Sequence, residues 1–457
     1  MVSRRSRISK GPLALDRTVF EECSTHHNAL RTSVTRNCQV ASFYMSIFPR
    51  ASFNSAASTF AAFRHRNYRL WFFGQLVSLI GTWMQRIAQG YLLYTLTGSV
   101  AYLGYVGFIS GMPSWLLILF SGLIADRVPR RTLLVTTLTV KMILALILGG
   151  LVFINWVQPW HILLLALFLG VANAFETPAR KSLVVDLVKR EDMTNAIALS
   201  DTMFNISMII GPIIGALVYS LTGPGWCFFL NGFSFIAVIA ALLMMKIQST
   251  PVPLNRGSAL TAVAEGIRYI RSNRLVQTLT TSEFLISLLG YGPIILLPAW
   301  AVKMLNGDVS TNGLLLSVYG IGAVLGGLNI AAFASRKNRG KVWTSGSMIM
   351  PMVMLAFALS RNLPISLFCL GLIGFSYITV ETNNSAIVQS VVPDELRGRV
   401  IGWFTLMYTG GEPLGSLAIG LMADWTSEPF TIIVCSVGLV LFSILILLFH
   451  PEVRTIE

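Results

Sequence analysis

The sequence predicts an all-α polytopic membrane protein, with twelve transmembrane helices in two six-helix pseudo-repeats. Three observations carry that prediction. Twelve long apolar stretches fill the chain from Leu70 onward. Charged residues make up only 12% of the 457, against roughly 25% in a soluble domain, and they gather in the gaps between the stretches. Short sequence matches also recur at a common spacing of 205 residues. A mean hydropathy of +0.68 agrees with all three.

Taken in order, the first half supplies apolar stretches at 70–96, 100–124, 132–154, 161–175, 196–221 and 226–245. The second half supplies 276–302, 312–334, 342–359, 365–380, 400–422 and 430–449. Most can cross about 30 Å of hydrocarbon as helices, some with tilt; the fourth and tenth are short and borrow polar flanks. A membrane barrel would instead show strands of roughly ten alternating residues. Residues 1–66 are polar and rich in Arg and Ser, with no helical periodicity. They read as a disordered tail, or as a start placed too early, with Met45 the true beginning; a transit sequence is conceivable because acids are few. The expected organisation is then a six-helix bundle over 67–246, a cytoplasmic linker over 247–274, a second bundle over 275–450 and a short tail over 451–457.

The formal charge of +14 does not point to nucleic acid, because the basic residues sit in short gaps rather than on a polar domain. With an N-terminus inside, twelve crossings return the C-terminus inside. Arg127, Arg130, Arg131, Arg180, Lys181, Lys189, Arg190, Arg336, Lys337 and Arg397 then fall on the same side, whereas the opposite side receives Lys303 and Arg361. That asymmetry predicts both termini in the cytoplasm of a cell (inner or plasma) membrane. Five cysteines are too scattered for a disulfide framework or a zinc spacing, and Cys23 with His26 and His27 lacks a fourth ligand. No metal and no cofactor is expected.

The internal repeat rests on Arg69-Leu70 recurring as Arg274-Leu275 and Glu176-Thr177 as Glu381-Thr382. Two parallel halves of this kind imply a binding cavity near the bilayer midplane between them.

The gap between the second and third stretches reads "GLIADRVPRR". It resembles the helix 2–3 loop signature of the major facilitator superfamily, Gly-x-Leu-Ala-Asp-Arg-x-Gly-Arg-Lys. Gly122, Ala125, Asp126, Arg127 and Arg130 occupy its places, Arg131 replaces the lysine, and Pro129 stands where glycine is usual. The resemblance implies the major facilitator fold, and a gating loop that latches against the eleventh helix to favour the outward-facing state. In the fifth stretch, Ser207, Gly211, Pro212 and Gly215 resemble the antiporter signature of that superfamily, which implies export. "GGEPLGS" in the eleventh stretch echoes it. The first stretch resembles that of the drug and siderophore exporters of the superfamily, the macrolide- and enterobactin-efflux branch.

Charges inside a membrane each cost roughly 2.5–3.5 kcal/mol at a helix centre, so they mark function by default. Lys141 and Glu412 fall about 14–16 Å from their helix ends, with Asp201 and Glu283 shallower and Arg86 in the outer half of the first helix. Glu412, Asp201 and Glu283 are the candidates for proton coupling, since a carboxylate that is dried and rewetted by a closing cavity can load and release a proton. Arg86 and Lys141 are candidates for contacting a substrate or pairing with those acids. Gln75, Gln85, Gln89 and Trp83 are expected to line the same cavity. "GIGAVLGG" at 320–327 lies inside a helix, so it is a packing face rather than a nucleotide loop. No Walker loop, His-Glu-x-x-His or Gly-x-Ser-x-Gly occurs in the sequence, which excludes direct ATP drive and the familiar hydrolases.

The reading is a monomeric secondary transporter, not an enzyme. It is expected to be a proton-coupled exporter of small amphipathic molecules, drug-like compounds or siderophores, by alternating access. Its partners are a small-molecule substrate, protons and the lipid bilayer. A proton-coupled uptake symporter and a non-transporting sensor or scaffold are the alternatives.

Overall fold

The computed structural model describes residues 60–245, 259–333, 339–450 and Val453, without the side chains of 118–120, 122–127, 259–263 and 331–333. The tail over 1–59, with Cys23, His26, His27 and Met45, lies outside the described residues, as does much of the expected linker.

Hydrocarbon offers no partner to backbone N–H and C=O groups, so apolar stretches close those bonds internally as helices. In the first half these are α1 (Arg66–Thr97), α2 (Ala101–Arg127), α3 (Arg130–Phe153), α4 (Pro159–Asp186), α5 (Met193–Thr222) and α6 (Pro224–Met244). The second half holds α7 (Arg274–Lys303), α8 (Val309–Phe333), α9 (Arg339–Leu359), α10 (Leu363–Val391), α11 (Asp394–Trp425) and α12 (Glu428–Phe449). Among the described residues, nine of these twelve meet the length and hydropathy required of a membrane span. The other three, α1, α2 and α11, run to 32, 27 and 32 residues. At 1.5 Å per residue each exceeds the bilayer core. Leu217, Phe233, Leu328, Phe368, Leu441 and Leu448 all point outward, the arrangement expected of a lipid-facing surface.

Two features depart from the sequence reading. The fold starts before residue 67: a turn over Ala61–Arg64 docks on α5, with the Ala62 N–H donating to Asn195 at 2.9 Å. The expected linker also contains a helix, Ala259–Ser272, which packs on α11 and ties Glu265 to Arg399. Within α7, a π turn over Ile286–Gly290 and the prolines 293 and 298 divide the span into short helical segments. Each proline removes a donor from the helical ladder, which explains the breaks.

The two halves repeat one pattern of helix pairing. In the first, α1 packs on α5 and α6, α2 on α4, and α3 on α4 and α6. In the second, α7 packs on α11 and α12, α8 on α10, and α9 on α10 and α12. Moving α4 by 205 residues gives 364–391, and α10 occupies Leu363–Val391. Two seams join the halves, α2 with α11 and α5 with α8, and the repeat exchanges one for the other.

Both seams are tight at the distal end, the end that carries the α1–α2 and α11–α12 turns. A methyl on Gly104 of α2 would lie 2.7 Å from the Ser416 carbonyl and 2.9 Å from the Gly420 Cα of α11, so the backbones touch. A methyl on Gly313 of α8 would lie 2.6 Å from Ala216 Cβ of α5. The Ser317 hydroxyl donates to the Ile209 carbonyl across the same seam at 2.9 Å. At the opposite, linker end, a cavity of about 560 Å³ opens between α10 and α11, lined by Glu381, Thr382, Ser385, Gln389 and Arg397 among others.

Candidate functional site

The centre of the molecule brings charges and aromatic rings together from both halves. From α1, the Arg86 guanidinium lies 4.9 Å from the centroid of the Trp83 ring, a cation–π distance. It also senses Glu412 and Tyr408 on α11 and Tyr291 on α7, all three in the second half. Although groups of both halves surround it, Arg86 keeps an exposed surface. Trp83 packs edge-on against Phe204 of α5, with ring centroids 5.8 Å apart. Glu412 is half-buried, and its charge reaches the buried Tyr319 of α8 and Tyr377 of α10.

The four tyrosines are functional candidates that the sequence reading passed over. A signal was available. Tyrosine favours the interfaces of a membrane, yet Tyr319, Tyr377 and Tyr408 sit near the middles of their helices. Tyr319 and Tyr377 are buried in the core of the second half, whereas Tyr291 and Tyr408 are half-buried within reach of the Arg86 charge, where a ring and a hydroxyl suit both aromatic and hydrogen-bonding groups.

The structure disperses several residues expected to line one cavity. Lys141 is not in the cavity: it pairs with Glu176 at 2.6 Å inside the first half, with both side chains under 8% exposed. The reason is local. The face of α3 that carries Lys141 packs on α4 and α6, and the amine lies 5.5 Å from the Phe235 ring centroid. Gln85 likewise turns to α6, where it accepts from Asn231 Nδ2 at 2.6 Å. Gln75 is buried, beside the Gly74 contact with α6, and Gln89 is half-buried. Asp201 is exposed on α5, toward the linker end, where Lys181 and Arg180 of α4 act on it. Glu283 is deeply buried on α7 and accepts from Asn384 Nδ2 at 2.6 Å. Of the three candidate acids, Glu412 is the one beside Arg86.

The loop signature is only partly visible, because the side chains of Gly122, Ala125, Asp126 and Arg127 lie outside the described residues. Arg130 binds Asp186 and the Ser182 carbonyl on α4. Arg131 donates to the Leu243 carbonyl at 2.7 Å and to that of Met245, capping the end of α6. Both arginines therefore brace the first half rather than reach α11.

The small residues of α5 act as a two-sided seat. Methyls on Gly211 and Gly215 would collide with α1, the second at 2.6 Å from Ile87 Cγ2 and 2.9 Å from Met84 Cα. The Pro212 carbonyl faces Gly313 of α8, and the Ser207 hydroxyl turns back to the Met203 carbonyl at 2.8 Å. On α11, Gly411 and Gly415 seat α7 in the same way, and the Pro413 ring meets Gly111 of α2. The echo noted in the sequence is thus a structural equivalence.

Residues 57–456 match the transmembrane secretion effector family. A staphyloferrin A transporter of Staphylococcus aureus is 25% identical over 359 residues, covering 78% of this chain and 89% of that protein. A multidrug efflux pump, Tap, of Mycolicibacterium fortuitum is 24% identical over 84% of this chain and 96% of its own length. In fold, the chain is similar to a bacterial homologue of the human lysosomal transporter spinster, solved inward-facing and occupied. The TM-score is 0.69 at 14% identity, over 85% of this chain and 98% of that one. The chain belongs to the transmembrane secretion effector family and is a multi-pass major facilitator transporter, not an enzyme.

Proposed function

We propose that this transporter is a proton-coupled exporter of small amphipathic molecules, working by alternating access in the cell membrane with its linker end and both termini in the cytoplasm. One observation carries the reading: both seams are closed at the distal end, yet at the centre Arg86 keeps an exposed surface and Glu412 is only half-buried. Solvent therefore enters from the linker end, and the conformation is the one that loads cargo from the basic, cytoplasmic side. The half-buried Tyr291 and Tyr408, with Arg86 and Glu412 acting on one another nearby, suit a molecule with an aromatic or apolar body and a polar or charged group. Export is favoured by the seat built from Gly211, Pro212 and Gly215, and by a relative named as an efflux pump. Drug-like compounds and siderophores are the substrate classes that the named relatives suggest.

The test is flux in proteoliposomes enclosing a pH-sensitive dye, challenged with macrolides, cationic dyes and catecholate siderophores. Substrate movement against an imposed proton gradient, with protons travelling the other way, is the expected result. Protons travelling with the substrate would make the protein an uptake symporter. Glu412→Gln and Arg86→Ala are both expected to lower this flux at least about tenfold, since each leaves a charge at the centre without its counter-charge.

A further inference from the structure

The second half contains a buried carboxyl group whose surroundings are organised for one protonation state. Glu283 is 1% exposed and stands on α7 three residues before the π turn. Asn384 of α10, wholly buried, directs its amide nitrogen both to Glu283 Oε2 at 2.6 Å and to the Leu279 carbonyl at 3.0 Å. Its amide oxygen is buried with no hydrogen-bond partner. An ionised carboxylate can only accept, so it offers that oxygen nothing; a neutral carboxyl has one O–H to donate. A neutral Glu283 and Asn384 complement one another group for group, N–H to carboxyl oxygen and O–H to amide oxygen. A buried acceptor left unsatisfied bears the full cost of losing its water, which the neutral acid avoids.

The rest of the neighbourhood favours the same state. The charged group acting on Glu283 is Glu381 from α10, and among the described residues no lysine or arginine pairs with it. Glu381 lies one turn before Asn384 on the same helix and lines the cavity that opens at the linker end. One carboxyl is thus sealed inside the second half, and the other faces water beside it.

We propose that Glu283, Asn384 and Glu381 form a proton site, in which Asn384 holds a protonated Glu283 and Glu381 carries the proton between it and the cavity. This rests on the proton-coupled reading above and adds the residues that hold and relay the proton. In the release step the Glu283 O–H bond breaks, the proton passes to a Glu381 carboxylate oxygen, and water in the cavity takes it from there. Glu283 is left as a carboxylate that keeps the Asn384 N–H bond and loses the other. Asn384 is a positioning residue, and the π turn next to Glu283 is the segment of α7 placed to respond to the new charge.

Infrared spectroscopy of the full-length protein in lipid nanodiscs tests this without any substrate. At neutral pH the wild type is expected to show the carbonyl stretch of a protonated carboxyl, and Glu283→Gln, an isosteric change, should remove it. Asn384→Leu should shift the frequency of that band, a readout that loss of packing alone does not move. Glu381→Gln should leave the band in place but slow its hydrogen–deuterium exchange about a hundredfold, the low end of what a positioned proton carrier contributes. A band unchanged in Glu283→Gln, or exchange unchanged in Glu381→Gln, overturns the proposal. Flux that ignores a proton gradient while these bands behave as expected would instead overturn the exporter reading and leave the proton site standing.

Discussion

Lys141 and Glu176 show how much the setting of a charge decides its role. Each would be costly alone in a membrane, and together they form a sealed pair at 2.6 Å. Removing one partner should therefore do more harm than removing both. Glu176→Gln is expected to destabilise the first half by about 3–5 kcal/mol, and Lys141→Met combined with Glu176→Leu by much less. Thermal unfolding in detergent, followed by circular dichroism, distinguishes the two; equal losses would show that the pair does not act as a unit. Sequence alone ranked Lys141 with Arg86, because both are cations at membrane depth. Depth is legible from position along a helix, but the face on which a residue lies depends on its neighbours, and these helices are apolar on nearly every side. That is also why Gln85 was expected in the cavity and is found against α6.

At the scale of the element, the ends of α2 and α11 meet in a bond that spans the two halves. Asp424, near the end of α11, accepts from the Ser99 hydroxyl at 2.7 Å and from the Val100 and Ala101 N–H groups at 2.9 and 3.3 Å. It caps α2, supplying acceptors that the first turn of a helix otherwise lacks and a negative charge where the helix dipole is positive. A cap borrowed from the other half exists only while the distal end is closed. Asp424→Ala is expected to weaken that closure by about 0.5–2 kcal/mol. A cysteine at Ser416, behind the seam, should then react faster with a membrane-impermeant thiol reagent applied from the distal side. No change in labelling rate would mean that Gly104 and Gly420 hold the seam unaided. The twelve helices themselves were readable in the sequence, since solid apolar runs have one solution in lipid. The linker helix and the broken α7 were not, because the former lies in a polar segment and the latter turns on how Pro293 and Pro298 interrupt a run that is apolar throughout.

For the whole molecule, transport by rocking two halves demands that the distal seams open and close. The Ile209 side chain lies across the α5–α8 seam from Gly320, where a Cβ would come 3.3 Å from Ile209 Cγ1, so Gly320→Cys with Ile209→Cys should cross-link under oxidation and hold the seam shut. Transport is expected to stop and to return on reduction. Full activity in the cross-linked form would rule out alternating access through this seam. The shared spacing of 205 residues made the two-fold plan visible in advance, whereas the action of Arg86 on Glu412 was not, because residues 326 positions apart leave no local trace of their proximity.

The same spacing sets Lys141 against Gly346 and Glu176 against Glu381. In one copy of the duplicated unit the acid is locked to a lysine; in the other the lysine is replaced by a glycine that fits beneath Val380, and the acid faces the cavity. Equivalent positions of the two halves thus hold their acids in opposite settings, one sealed against a lysine and the other open beside the cavity.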